Sequence, residues 1–250
     1  MKFVTIGDRR YTRFDRLAGE SGLSHLFTTR PHSISANGRP DDVANREIVS
    51  GALGSSPDRL NYCRQVHEPG IVHVNAEQPG GVLRATDGVF TNDPNRGLMT
   101  FSADCPLVLA YDPGRRAVGI VHASWRCTVA HATRRLIGQM CDELGCWPAN
   151  MLAGIGPSAG PCCYEVKGDV YEAAGSLADR NRFFHRDGDR MTFDLWSANR
   201  AQLVAAGIPE SSVEIAGQCT ICDNGQIFYS YRREGPGCGH FALAAMLRSE

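Results

Sequence analysis

The sequence predicts an α+β fold with a mixed β-sheet in a single domain spanning residues 1–250. Segments with helical periodicity are interspersed with short β-branched strands. Several strands are joined by tight turns, which is typical of antiparallel pairs rather than of a doubly wound parallel sheet. Hydrophobic residues make up 42% of the chain, so it can bury a sizeable core. Because no repeat or linker interrupts the chain, one domain is favoured over two.

The clearest strand pair surrounds the turn sequence DPGRR. Leu107–Tyr111 and Ala117–His122 are apolar runs on either side of this turn, as in a β-hairpin. If Asp112 pairs with Ala117 across this turn, Leu107 faces His122. Cys105 then lies diagonally across from His122 on the same face of the sheet. The hairpin therefore predicts that a thiol and an imidazole converge.

Two further strand–turn–strand units are predicted. Leu60–His67 and Ile71–Asn75 flank the turn sequence EPG. Val213–Ile221 and Gln226–Tyr231 flank Asn224-Gly225, and Asn-Gly is the strongest short hairpin signal.

Two helices are predicted. Thr128–Leu144 carries apolar residues at three- and four-residue spacing on one face, and Gly145 follows as the expected C-terminal stop. Leu195–Ala206 is expected to end at Gly207.

The start of the first helix is a candidate anion site. Thr128 is the expected N-cap, which places a helix N-terminus beside His122. Free backbone N–H groups and Arg126 would together suit a phosphate or another anion there. The alternative is that Arg126 only pairs with a carboxylate.

Charge and composition narrow the functional class. Lys and Arg number 26 and Asp and Glu 27, so no basic excess favours nucleic acid or an anionic membrane. The charged start MKFVTIGDRR lacks the apolar region of a signal peptide, and no apolar run is long enough for a membrane helix. We therefore expect a cytoplasmic protein, as a monomer or small homo-oligomer, whose ten cysteines are reduced.

Considered alone, the residues leave the chemistry open. His67 ends an apolar strand, where side chains often face a cleft, although a lone histidine there is more often structural. His73 lies mid-strand and is interpreted as a core or surface residue. Cys105 and His122 could also form a metal-free nucleophile–base pair of a hydrolase.

An ordered set of motifs covers nearly the whole chain. In order, these are HLFTTR (25–30), NR (45–46), RQVH (64–67), DGVFTNDPNRGLMTFSADCPLVLAYDP (87–113), VGIVHASWRCTVAHA (118–132), GIGPSAGPCCYEV (154–166) and FYSYRR (228–233). The set resembles the YfiH-like laccase-domain family, also called the multicopper polyphenol oxidase or purine nucleoside phosphorylase family.

The resemblance implies a three-layer α/β/α domain and one zinc ion held by His67, Cys105 and His122, which would also be the catalytic residues. It implies phosphorolysis of adenosine, inosine, guanosine and methylthioadenosine, as well as adenosine deamination. Hydrolysis linked to peptidoglycan-precursor editing and copper polyphenol oxidation are alternatives in this family. Copper is disfavoured, because a multicopper centre needs many histidines and this chain has eight, with no His-x-His pair.

Phosphate and nucleoside are the partners that the resemblance implies. Arg126, Arg46, Arg232 and Arg233 are the candidate residues for binding them, with surface charge as the alternative for each. The family motif HAGWRG is HASWRC here. We expect the side chains of Ser124 and Cys127 to narrow the substrate side of the pocket.

The remaining cysteines carry no predicted function. Cys219-x-x-Cys222 lacks a second pair at the spacing of a structural zinc site. Cys162 and Cys163 are interpreted as packing residues.

Overall fold

The structure is a computed structural model that describes residues 1–223 and 225–248. Its strands in chain order are β1 (Lys2–Ile6), β2 (Arg9–Arg13), β3 (Leu23–Thr28), β4 (Leu60–Arg64), β5 (Ile71–His73), β6 (Gly81–Arg84), β7 (Gly88–Thr91), β8 (Gly97–Ser102), β9 (Leu107–Asp112), β10 (Ala117–His122), β11 (Leu152–Ile155), β12 (Phe184–Asp187), β13 (Arg190–Phe193), β14 (Val213–Ile215) and β15 (Phe241–Leu247).

The helices are α1 (Pro40–Leu53), α2 (Trp125–Val129), α3 (Ala132–Leu144), α4 (Gly168–Ala173), α5 (Leu195–Ala205) and α6 (Tyr231–Glu234). Short 3-10 turns occur at Leu17–Gly19, Pro57–Arg59, Pro148–Asn150, Ala174–Ser176, Arg180–Arg182 and Glu210–Ser212. No helix in the described parts of the chain is long and apolar enough to cross a membrane.

Most strands belong to two mixed sheets. A seven-stranded sheet has the order β1-β2-β3-β15-β8-β4-β6, with β4 parallel to both of its neighbours. A six-stranded sheet has the order β14-β11-β9-β10-β7-β5, with parallel pairs at its two edges. Strands β12 and β13 form a separate hairpin. The predicted α+β class with mixed sheet structure is confirmed.

The two sheets pack face to face, because side chains alternate between the two faces of each strand. Leu243 and Ala245 of β15 lie in the core between the sheets, together with Leu107 and Leu109 of β9. Ala244 of β15 belongs instead to the core under α1. The intervening residues of β9 lie in a further core with α3 and α5. The strands expected in one sheet are therefore shared between two, with helices on both outer faces.

The central hairpin has the predicted register. Leu107 pairs with His122 and Asp112 pairs with Ala117. His122 is therefore on the same face as Val118 and Ile120, which lie in the core between the sheets. Strands β4, β8 and β10 all end at the edge of the core where His122 lies, so residues from both sheets can meet there.

The predicted helix Thr128–Leu144 is broken in the structure. Its first part begins at Trp125, where the Ser124 side chain accepts the Cys127 N–H as the N-cap, so the expected cap at Thr128 is wrong. His131 has a φ of 58° and separates α2 from α3. The apolar periodicity showed no sign of this break, because α2 and α3 pack against the same core.

Two predicted strand pairs are also wrong. Leu60–Arg64 lies in the seven-stranded sheet, whereas Ile71–His73 pairs with β7 in the other sheet. Val213–Ile215 pairs with β11 rather than with a strand after residue 225. Asn224 of the expected turn lies outside the described residues. Local turn signals did not determine which distant strand each segment joins.

Candidate metal centre

Three of the predicted site residues lie together where the two sheets meet. The ligand atoms of His67, Cys105 and His122 all lie within 4.8 Å of one another. The rings of His67 and His122 are edge to face, with centroids 4.9 Å apart. His122 is the last residue of β10, Cys105 lies between β8 and β9, and His67 follows β4. Three separate segments thus present one sulfur and two nitrogen donors to a common point.

A buried carboxylate positions His67. His67 has a φ of 61°, which few residues other than glycine adopt. Asp87 accepts the backbone N–H of Val66 at 2.9 Å and that of His67 at 3.2 Å. These bonds to consecutive amides hold the turn that presents the His67 ring.

The same carboxylate orients His122. Asp87 Oδ2 lies 2.8 Å from His122 Nδ1, and both side chains are buried. This contact leaves Nε2 of His122 for a metal, as in other carboxylate–histidine–metal arrangements. Burial acts to raise the pKa of Asp87, but the bonds from His122 and the Val66 N–H outweigh it, so the pKa is lowered. Asp87 opens the motif DGVFTN, yet no spacing signal indicated its role.

Cys105 is held by the residue before it. Asp104 has a φ of 106°, a strained conformation for a residue with a side chain. Its carboxylate accepts the Thr220 hydroxyl and the Arg232 N–H, both at 2.6 Å. Burial, followed by the charge of Asp104, raises the pKa of the Cys105 thiol. Burial therefore disfavours the thiolate, and a bound cation would stabilise it.

The three donors face a cavity of about 520 Å³. Its lining is mostly polar, aromatic or charged, and consists of Ser35, Ala36, Asn37, Arg64, Gln65, His67, Phe101, Ser102, Ala103, Asp104, Cys105, His122, Tyr164, Tyr231, Arg232 and His240. Arg64, Tyr164 and His240 were not predicted as site residues. Arg64 could have been found, because it begins the RQVH motif that carries His67.

The predicted anion-binding arginines occupy different places. Arg232 lines the cavity, and its guanidinium also donates to the Glu165 carbonyl at 2.8 Å. Arg126 is exposed and lies over the Trp125 ring, with its guanidinium carbon 4.3 Å from the ring centroid. Its charge helps to lower the pKa of His67, after burial and His122. Arg126 is therefore near the centre but outside the cavity lining.

The other two arginines bind backbone. Arg46 is buried and donates to the carbonyls of Ser35 and Asn37, whose loop lines the cavity. Arg233 donates to the carbonyls of Thr220 and Phe228. Both guanidinium groups hold loops next to the cavity and do not line it.

Ser124 and Cys127, which depart from the family motif HAGWRG, do not narrow the cavity. Cys127 is fully buried, and its thiol lies 3.5 Å from Asp87 Oδ2. Ser124 is buried and caps α2. The expectation that these side chains crowd the substrate side is wrong, because both are buried and neither lines the cavity. Asp87, His122 and Cys127 also lie within metal-binding distance of one another, but Asp87 already contacts the other two side chains.

The donor set fits zinc. Zinc binds cysteine sulfur and histidine nitrogen, and catalytic zinc sites use three protein ligands with a further position open. Here one sulfur and two nitrogens border a cavity, and Asp87 supports one of the histidines. A soft thiolate with two imidazoles also suits a copper ion, so the donors by themselves indicate a transition-metal centre.

The chain is similar to known proteins over nearly its whole length. A family model described as multi-copper polyphenol oxidoreductase laccase matches residues 14–248. A purine nucleoside phosphorylase of Bacteroides thetaiotaomicron is 30% identical, over 96% of this chain and 97% of that protein.

Two solved structures are also similar. YlmD from Geobacillus stearothermophilus has a TM-score of 0.87 at 25% identity and covers 99% of each chain. The protein YfiH of Bacillus licheniformis has a TM-score of 0.83 at 29% identity, over 90% of this chain and 93% of that chain.

Proposed function

The chain belongs to the multi-copper polyphenol oxidoreductase laccase family, and within this family we propose that it acts as a zinc-dependent purine nucleoside phosphorylase. The observation that carries the proposal is the placement of three metal donors beside a cavity whose wall also holds Arg64 and Arg232. Relatives with the name purine nucleoside phosphorylase, such as the Bacteroides thetaiotaomicron protein, support it.

His67, Cys105 and His122 would hold the zinc ion. When bound, zinc acts as a Lewis acid and lowers the pKa of a coordinated water toward about 7. Asp87 keeps His122 in the tautomer that presents Nε2 to the centre.

Phosphorolysis joins a phosphate oxygen to C1′ of the sugar as the C1′–N9 bond breaks. The purine leaves with the bonding electrons and takes up a proton. Arg64 and Arg232 would bind the phosphate, because guanidinium groups match its charge and geometry. Arg126 would add positive charge from outside the cavity lining. Burial raises the pKa of Tyr164, so its hydroxyl stays protonated and can donate a hydrogen bond to the ligand.

We propose adenosine deamination as a second reaction of the same site. His240 lines the cavity, and burial lowers its pKa below the ordinary histidine value. A neutral imidazole can accept a proton from water at neutral pH. Ammonia release from adenosine in the absence of phosphate would test this reaction separately.

Two alternatives have less support. A metal-free hydrolase needs Cys105 as a thiolate, but burial raises the pKa of that thiol. A multicopper oxidase needs several histidine-rich copper sites. Among residues 1–223 and 225–248, the side-chain groups that could ligate a metal include only two histidines, His67 and His122.

The proposal is tested by measuring phosphate-dependent release of purine from adenosine and inosine. Cys105→Ala should abolish release and lose the zinc of this centre. Arg232→Ala should keep that zinc and raise the KM for phosphate by about 10- to 100-fold, as expected for a hydrogen bond between charged groups. Arg59→Ala, at an exposed arginine outside the cavity, is the control. Full activity in the metal-free protein would contradict the proposal.

A further inference from the structure

A second group of metal donors lies away from the centre described above. Cys162, Cys163, Cys219 and Cys222 have their sulfur atoms all within 4.8 Å of one another. We call these residues the four-cysteine cluster. Cys222 Sγ lies 3.1 Å from Cys163 Sγ and 3.6 Å from Cys162 Sγ. Cys162 is exposed and Cys163 is partly buried, so neither is enclosed in the core as a packing role would require. The fold brings both to the Cys219-x-x-Cys222 pair.

Backbone pairing, independent of the sulfurs, brings the two halves of this cluster together. Ser158 forms a parallel bridge with Cys219. The Ser158 N–H donates to the Gln218 carbonyl, and the Thr220 N–H donates to the Ser158 carbonyl. The loop after β11 and the turn at 219–222 are therefore fixed against each other, and the cysteines need no long-range movement to meet.

We propose that the four-cysteine cluster binds one zinc ion as a structural site. Four cysteine sulfurs are a common donor set of structural zinc, with Zn–S distances of about 2.3 Å. The sulfur spacing is short enough for one ion to be bound with small changes in side-chain torsions. Binding replaces four S–H bonds with four Zn–S bonds and releases four protons, so zinc with four thiolates carries a net charge of −2.

The surroundings are suited to this negative charge. The Gly160 N–H donates to Cys219 Sγ at 3.3 Å. Arg190 donates to the Cys162 carbonyl at 2.7 Å, and Arg233 lies 3.3 Å from the Ile221 carbonyl. The amide contacts a cluster sulfur directly, and an amide of this kind stabilises a bound thiolate. The two guanidinium groups contact backbone carbonyls beside the cysteines, and each also pairs with a carboxylate. The cluster also has open access, since Cys162 and Cys222 are exposed.

The proposed site would stabilise one wall of the cavity. Tyr164, the residue after Cys163, lines the cavity. Thr220, between the two later cysteines, donates to Asp104 beside the metal donor Cys105. Asp104 also accepts the N–H of Arg232. Zinc at the four-cysteine cluster would thus hold the segments that carry Tyr164, Arg232 and Cys105. This inference does not depend on the reaction proposed above.

The wild-type protein provides the first test. Exposed free thiols react readily with iodoacetamide, whereas zinc-bound thiolates are protected. We expect Cys162 and Cys222 to stay unmodified until a strong chelator removes the metal, as followed by mass spectrometry and elemental analysis. Immediate alkylation would overturn the proposal. Protection that yields only to a reductant would also overturn it, because that result shows a disulfide.

A second test separates the two metal centres. The Cys105→Ala protein, purified with its thiols reduced, should still hold about one zinc per chain, and X-ray absorption should show only sulfur neighbours at about 2.3 Å. Adding Cys219→Ser and Cys222→Ser should remove this zinc. Adding Cys141→Ser, at a cysteine outside both groups, should not. A zinc-free Cys105→Ala protein or nitrogen neighbours would contradict a tetrathiolate site.

Discussion

Asp87 is the residue on which the proposed metal centre most depends. It bonds the ring of His122 and the backbone N–H of His67, so one carboxylate orients two of the three donors. Asp87→Asn removes the charge and one acceptor oxygen. We expect zinc affinity to fall by about 10- to 100-fold, with a similar fall in kcat/KM, as measured by chelator competition and nucleoside turnover.

The matched control for this substitution is Asp93→Asn. Asp93 belongs to the same sequence motif, but it contacts Arg96 instead of the centre. Zinc affinity unchanged in Asp87→Asn would show that the carboxylate is not needed to position the donors.

Cys127 departs from the family motif without entering the cavity. Its thiol packs under the centre and contacts Asp87. We expect Cys127→Ala to retain zinc and to keep kcat/KM within about twofold, while losing about 1 kcal/mol of unfolding free energy through lost packing. Zinc content, steady-state kinetics and urea denaturation measure these effects. A gain in kcat/KM of about fivefold or more would mean that the thiol does obstruct the substrate.

At the level of elements, β10 is positioned by its close contact with α3. A Cβ added at Gly119 would lie 2.8 Å from Met140 Sδ and 3.0 Å from Leu136 Cδ1. Because both side chains are fully buried, Gly119→Ala should lower the free energy of unfolding by about 1–3 kcal/mol. Urea denaturation measures this change.

Gly138→Ala in α3 is the control, because a Cβ there meets nothing within 4 Å. It should raise the unfolding free energy by up to about 1 kcal/mol, since alanine favours helix. If both substitutions stabilise the protein, the strand and helix are not as closely packed as the structure shows.

The stability of the whole molecule should depend on pH through His25. This residue is buried in β3, and its Nε2 accepts the Phe14 N–H at 3.1 Å. Burial, followed by the charges of Arg13 and Arg248, lowers the pKa of His25 to about 3. In the unfolded chain, histidine has a pKa of about 6.5. Between these two pH values, His25 binds a proton in the unfolded state but not in the folded state. The free energy of unfolding therefore falls as the pH drops below about 6.5.

At pH 5 the expected loss attributable to His25 is about 2 kcal/mol relative to pH 7.5. His25→Gln offers the Phe14 N–H a neutral acceptor and should lose less stability over this interval. Urea denaturation of both proteins at the two pH values gives the comparison. Equal losses would show that His25 does not set the acid sensitivity.

The sequence by itself predicted those features that depend on residues close together along the chain. The turn DPGRR and the alternation around it predicted the register of β9 and β10, because a short hairpin has few alternative pairings. The helix α5 was predicted to within one residue of its observed end. The ordered motifs predicted the donors His67, Cys105 and His122, which the structure brings within 4.8 Å of one another.

Interactions between distant segments were decided only by the tertiary structure. The division of strands between two sheets, the double role of Asp87 and the four-cysteine cluster follow from how those segments pack. Cys163 and Cys222 are 59 positions apart, yet their sulfur atoms lie 3.1 Å apart. Hydrophobic periodicity shows which face of a segment is buried, but it does not show which distant segment covers that face. Packing between the loop after β11 and the turn at 219–222 determines that pairing.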